Sequence, residues 1–462
     1  MKTTKRRAFF KQSYLLGAGF IASKLVNIHN RLSFPGPFDP GFFFKQPRLR
    51  IALDKRSYQS QGVELRIKEI ARNKPAVWWL DSFEYCYPNT LDERVFFSNQ
   101  ANLPLAYISA NDGYMHLDDS TRQALLYLDL ILIDKGIEKL IAGIINCQML
   151  HIRENDYRAV FSIPEGKCLY ADRARTENFS IPDFSTETKH SILQPYKIWD
   201  QSILCGPICL LYAYWKSGAD MNLLSSDWLS VVKLILMQVD DSKYKYQDLI
   251  FPVTCNGQSH VIGTCQEMQS VRIFANILIA SSLGKLAELC TIDTSLRDLY
   301  KRCNALKQEI STAIIARGTV SHSNFGTIYA SEIDRAGNTV CMEKIDLQGL
   351  IALPLIDFTY LVNPVYKQTR KFCLSYQNVL YQHADIAVSS LFKFHAALST
   401  ALTTVDQYEL GIELKKVKEF VGDPSIDLDV NSVMAKTVLF NQNILFAELI
   451  LHLRRINPRL LA

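Results

Sequence analysis

Tyr114–Gln123 reads YMHLDDSTRQ, a histidine and two adjacent carboxylates just ahead of an apolar, helix-like run. Such a loop can bind a polar substrate. It can equally be a charged cap facing water, because the positive end of a helix favours carboxylates. Asp118-Asp119-Ser120 is well placed to cap a helix that starts near Thr121. Other acidic groups outside helix stripes are few: Asp112, Glu84, Asp92 with Glu93, Asp200, Glu332 with Asp334, Glu343 with Asp346, and Asp423, Asp427 and Asp429. Taken singly, each is more often a cap or a solvated loop residue than a catalyst. Together they point to glycoside chemistry, where two carboxyl groups suffice, one as acid and one as base or nucleophile. A serine triad has no G-x-S-x-G elbow to support it.

Composition narrows the alternatives. The 462 residues are 48% apolar, enough for a sizeable core. The net charge of +5 is spread along the chain with no basic block, which argues against a nucleic-acid surface. None of the 11 cysteines forms a CxxC pair, and no histidine pair has metal-helix spacing. Neither a disulfide scaffold nor a zinc site is expected. Aromatics at 11% suit a packed core or stacking on a sugar.

The elements that must position these groups read as helices, with apolar residues at helical spacing. They are Gly62–Arg72, Ser120–Lys135, Gly136–Arg153, Pro207–Lys216, Asp227–Val239, Val271–Leu289, Ser295–Arg317, Leu347–Val362, Val365–Leu374, Val388–Thr403, Gln407–Phe420 and Phe440–Arg455. Two short stretches, Ala159–Ile163 and Gly326–Ile333, read weakly as strands. An all-α fold follows, with helical hairpins closed into a ring and the site in the loops at one end. No internal linker is visible, so residues 48–462 read as one domain.

Ahead of it, Lys5-Arg6-Arg7-Ala8-Phe9-Phe10-Lys11 precedes a short apolar run. Residues 1–30 therefore resemble a bacterial twin-arginine export signal, and the alternative is a basic, frayed terminus. The run is too short to span a bilayer as a stable helix. No A-x-A cleavage site follows, which leaves a retained membrane tether open. Residues 31–47, rich in Pro, Gly and Phe, read as a linker or extended arm. A periplasmic or membrane-associated protein is the expectation.

Several segments, in order, resemble glycoside hydrolase family 125, the metal-independent exo-α-1,6-mannosidases. Glu84–Val95 (EYCYPNTLDERV) is similar to that family's F-E-N-C-F-P-N-T-L-D-T-T-V, and Tyr107–Ser120 to V-I-T-G-D-I-P-A-M-W-L-R-D-S. Asp156–Phe161 falls on P-Y-A-N-A-F, and Ile198–Pro207 (IWDQSILCGP) on K-Y-E-I-D-S-L-C-Y-P. Gly326–Pro354, Pro364–Ser375 (P-V-Y-x-x-T-R) and Asn443–Ile450 (NILFAELI, against N-S-L-F-G-E-L-I) continue the series. The resemblance implies an (α/α)6 barrel with short β elements in loops, an inverting mechanism, a carbohydrate ligand, and neither metal nor cofactor. It implies substrate-binding roles for Asn111, His116, Asp118, Asp119, Tyr157, Glu332, Glu343 and Asp346.

The catalytic positions depart from the family pattern. The general-acid Asp falls on Ser202, with Asp200 two residues before it. The general-base Glu falls on Pro424, with Asp423 beside it. A hydroxyl does not deliver a proton at neutral pH as a carboxylic acid does. W-L-R-D-S has become His116-Leu117-Asp118-Asp119-Ser120, and M-D-D-A-N-V-P has become Met342 to Gln348 with Lys344 and Asp346 in altered places. Three readings stay open: a mannosidase using Asp200 and Asp423, an inactive relative that binds glycan or a partner in the old cleft, or an exported helical domain with an unrelated ligand.

Overall fold

The computed structural model describes residues 50–462, save positions 74, 76, 101–102, 110–113, 155–159, 164–197, 200, 241–244, 247–248, 251–252, 255–269, 335, 344, 346, 348, 382–389, 423–432 and 462. Some positions inside elements, 201–204 and 433–442 among them, are described by backbone alone. The expected export signal and arm lie outside the described residues.

Helix α1 (Gln61–Arg72) starts where Ser60 accepts the Val63 N–H, and buries Val63, Ile67 and Ile70 on one face. Helix α2 (Val77–Cys86) and the short α3 (Asn89–Glu93) follow. An antiparallel hairpin comes next, β1 (Val95–Gln100) with β2 (Leu103–Ile108), in register Val95↔Ile108 through Gln100↔Leu103. Strand β3 (Tyr114–His116) runs straight into α4 (Leu117–Leu125). Helix α5 (Lys135–Glu154) packs across β2, so closely that a Cβ on Gly143 would meet the Ala106 backbone nitrogen at 2.9 Å.

The middle of the chain holds β4 (Val160–Ser162), β5 (Ile198–Trp199), α6 (Gln201–Lys216) and α7 (Trp228–Asp240). Three two-residue strands follow: β6 (Lys245–Tyr246), β7 (Leu249–Ile250) and β8 (Val253–Thr254). Strand β9 (Ser270–Arg272) leads into the hairpin of α8 (Ile273–Leu289) and α9 (Arg297–Arg317). Helix α8 is apolar enough to pass for a membrane span, but 72% of its apolar window is buried against protein.

Strands β10 (Thr319–His322), β11 (Gly326–Tyr329), β12 (Glu332–Asp334) and β13 (Thr339–Val340) lead to the single-turn α10 (Leu353–Ile356) and to α11 (Pro364–Cys373). Helices α12 (Ser390–Leu402), α13 (Gln407–Gly422) and α14 (Val433–Ile456) complete the chain. One large apolar core gathers side chains from α1 through α14. Trp79 of α2 stacks on Phe446 of α14 at 5.6 Å, which closes the chain on itself.

The fold is mostly helical, as the periodicity predicts, with four corrections. The expected helix Ser120–Lys135 spans only Leu117–Leu125 and gives way to the 3-10 turn Leu128–Leu130; α5 starts afresh beside Asp134, whose carboxylate takes the Gly136 and Ile137 N–H groups. The expected helix Leu347–Val362 breaks into a 3-10 turn, α10 and a second 3-10 turn, where the Asp357 side chain caps Thr359. Helix α6 starts at Gln201, six residues before the expected Pro207, and carries that proline inside it. Helix α2 and the β1–β2 hairpin are absent from the sequence reading. Their continuous apolar runs fit neither the 3.6-residue nor the two-residue period.

Candidate functional site

The β3–α4 junction gathers the residues that opened the sequence reading. Strand β3 pairs with β4 in the register Tyr114↔Ser162, Met115↔Phe161, His116↔Val160, so two separate motif segments lie side by side. Helix α4 begins at Leu117, not near Thr121. Asp118 and Asp119 therefore sit in its first turn rather than at its cap. The cap residue is His116, with no side-chain cap hydrogen bond. The capping expectation is corrected accordingly. Both carboxylates still gain from the positive end of the helix.

The start of α4 is held from below. Gln148 of α5, fully buried, donates through Nε2 to the Leu117 carbonyl (3.3 Å), Ser120 Oγ (2.9 Å) and Thr121 Oγ1 (3.1 Å). Ser120 Oγ in turn donates to the His116 carbonyl at 2.5 Å. Gly206 of α6 lets that helix approach: a Cβ there would sit 3.1 Å from Thr121 Oγ1 and 3.6 Å from the Leu117 carbonyl oxygen. Helix α6 opens at Gln201, directly after position 200. The segment that carries Ser202 is thus docked on the turn that carries Asp118 and Asp119.

His116, Asp118 and Asp119 are each half-buried, and one ligand atom from each lies within 4.8 Å of the others. This donor set is compatible with a divalent cation, with a sugar hydroxyl network, or with a positively charged group. On α14, Glu448 faces Arg122 of α4 and Arg455. Burial pushes its carboxyl above the usual range, and the two arginines partly offset that.

Glu332 of β12 is half-buried and accepts the Ser270 hydroxyl at 2.7 Å. Glu343 is buried, and its Oε1 accepts the Leu350 N–H at 2.8 Å. Asn378 grips the same residue through both backbone groups: its Nδ2 donates to the Glu343 carbonyl, and its Oδ1 accepts the Glu343 N–H. Asp92, among the acidic candidates, is buried in an ion pair with Arg50 and helps anchor the fold. Glu84 is exposed on α2; partial desolvation and neighbouring Asp81 push its carboxyl up. Asn111, Tyr157, Asp200, Asp346, Asp423 and Pro424 lie outside the described residues, as does the side chain of Ser202.

The remaining motif segments also meet in pairs. Asn443 of α14 reaches Asn89 of α3, and the Cys86 thiol bonds Asn443 Oδ1 at 3.4 Å. The Tyr329 N–H donates to Thr369 Oγ1 at 2.8 Å, and Tyr366 Oη to the Ile351 carbonyl at 3.0 Å. Arg370 ties α11 to Thr403 and Glu409.

The metal-independent alpha-mannosidase family, GH125, matches this chain over residues 78–249 and 267–402. The chain belongs to that family. A Schizosaccharomyces pombe protein, meiotically up-regulated gene 157 protein, is 24% identical to this family member over 90% of each chain. A solved Streptococcus pneumoniae structure superposes with a TM-score of 0.64 at 20% identity, covering 87% of this chain and 99% of its own. That structure is of a metal-independent alpha mannosidase in a non-productive substrate complex with α-1,6-mannobiose. The likeness supports the helical fold.

Sequence reasoning missed Gln148 and Gly206, which position the site without resembling site residues. The one signal available was a polar side chain on an otherwise apolar stripe of α5. Such a residue needs a buried partner.

Proposed function

We propose that this GH125 chain is an exo-acting, inverting α-mannosidase of α-1,6-linked glycans, with Asp200 as general acid and Asp423 as general base. The observation that carries the reading is the family match spanning both the Asp118–Asp119 turn and the start of α6. An inverting pair needs two carboxyl groups about 6.5–9.5 Å apart, so that a water fits between base and sugar. Asp119, Asp118 and His116 would bind hydroxyls of the terminal sugar. Asn111, Tyr157, Glu332, Glu343 and Asp346 would complete the cleft. The (α/α)6 barrel is the architecture proposed for the helices, and export through the twin-arginine-like segment is the proposed route.

A second reading rests on Ser202 and Pro424, which the sequence resemblance sets at the family's two catalytic positions. On that reading the cleft binds mannosides without cleaving them. Incubation with α-1,6-mannobiose separates the two. Mannose release that is abolished in both Asp200→Asn and Asp423→Asn supports the enzyme. Binding by calorimetry with no release supports the binder. Neither binding nor release defeats both readings.

A further inference from the structure

We propose that Cys209 and Lys285 are the two halves of an oxidative cross-link, a sulfenamide that joins α6 to α8. Helix α6 packs along α8. Cys205 on α6 is buried in the core, while Cys209, one turn on, is half-buried at the seam between the two helices. Lys285 of α8 is also half-buried. Its Nζ donates to Cys209 Sγ at 3.5 Å and to the Ile356 carbonyl of α10 at 3.3 Å. Cys209 Sγ also lies 3.4 Å from Ser282 Oγ. The Ser282 hydroxyl donates its own proton to the Leu278 carbonyl at 2.8 Å, so it accepts the Cys209 S–H. Cys209 is thus partly open to solvent, with its sulfur held against an amine.

The thiolate is the form that an oxidant attacks, and the Lys285 ammonium supplies its counter-charge. With hydrogen peroxide as oxidant, the Cys209 sulfur attacks one peroxide oxygen and the O–O bond breaks. The leaving hydroxide takes a proton and becomes water. The sulfenic acid so formed presents an electrophilic sulfur to Lys285. Nζ gives its extra proton to water and attacks that sulfur. The S–N bond forms, the S–O bond breaks, and a second water leaves. One thiol, one amine and one peroxide have become one sulfenamide and two waters, and the sulfur has passed two electrons to the peroxide. Ser282 Oγ lies as near, but a hydroxyl is the weaker nucleophile and its proton is engaged by Leu278. The flexible four-carbon stem of Lys285 lets the amine close on the sulfur without moving either helix.

The full chain is purified reduced, treated with graded hydrogen peroxide and quenched with catalase. It is then unfolded, alkylated and mapped as peptides without reductant. The expected result is a linked peptide pair joining Cys209 to Lys285, lighter by two hydrogens than the sum of its parts and reopened by dithiothreitol. Lys285→Arg keeps the positive charge but removes the amine. In that variant the link should be absent, and dimedone should label the Cys209 sulfenic acid several-fold more than in the unaltered chain. If the variant does not fold, the peptide map of the unaltered chain decides alone. Recovery of Cys209 as an alkylated thiol at the highest peroxide dose overturns the proposal. So does its recovery as a sulfinic acid, or in a disulfide with another cysteine, with no bond to Lys285.

Discussion

Gln148 donates its side-chain amide to Ser120 Oγ at 2.9 Å, across the buried contact between α5 and the first turn of α4. The same amide reaches the Leu117 carbonyl and Thr121. One buried side chain therefore holds the turn that presents Asp118 and Asp119. Gln148→Leu keeps the volume but leaves those acceptors unsatisfied, at a cost of about 1–3 kcal/mol. Chemical denaturation should show that loss. Mannobiose affinity should fall further than stability predicts, because the misplaced turn is the proposed binding element. Unchanged affinity in a destabilised variant would remove Gln148 from the site.

The sequence resemblance sets Asp118 against an arginine of the family's W-L-R-D-S segment. Asp118→Arg should therefore strengthen mannobiose binding about tenfold, worth about 1.4 kcal/mol. Titration calorimetry on the two proteins measures this directly. Weaker binding would mean that the acidic pair itself is what the ligand contacts.

Asp134 serves two helix starts at once. Its Oδ2 accepts the Ser60 hydroxyl (2.6 Å) and the Gly62 N–H (2.9 Å), and its Oδ1 accepts the Gly136 and Ile137 N–H groups. Burial disfavours the charge, but the Ser60 hydroxyl and the backbone donors outweigh it and hold the carboxyl below its usual range. A folded value below the unfolded one means stabilisation that is present above about pH 4 and lost as pH falls through the folded value. Asp134→Asn should cost about 2 kcal/mol at neutral pH. The gap between the two melting curves should narrow below about pH 4. A gap that stays constant down to acid pH would refute the linkage.

Two glycines on helices should respond in opposite directions. Gly143→Ala pushes a Cβ to 2.9 Å from a backbone nitrogen, which no rotamer change relieves. A loss of about 1–3 kcal/mol is expected. At Gly411, on α13, a Cβ meets nothing within 4 Å. Gly411→Ala should add about 0.5–1 kcal/mol through helix propensity. Equal effects at the two sites would contradict the close approach of α5 to β2.

Helices with a clean apolar stripe, such as α1 and α9, were legible in the sequence because burial on one face imposes the 3.6-residue period. Breaks made by side chains taking backbone groups were not. Asp357 breaks the expected helix Leu347–Val362 by capping Thr359 through a hydrogen bond that leaves no periodic mark, whereas the start of α5 beside Asp134 falls where the sequence already begins a new helix at Gly136. The β1–β2 hairpin escaped notice because Val95–Ile108 carries neither strict alternation nor a recognised turn pair. At the site, the charged candidates His116, Asp118 and Asp119 were readable as types at a spacing. Their supports were not, since Gln148 and Gly206 become meaningful only when α5 and α6 lie against α4.

Asn443 and Cys86, bonded to each other, stand 357 residues apart in the chain. Helix α2 leaves the ribosome long before the helix whose Phe446 will cover Trp79. Until then Trp79 and Cys86 lack the partners that α14 supplies, Phe446 and Asn443. The native packing of the amino-terminal half is therefore completed only after α14 has been translated.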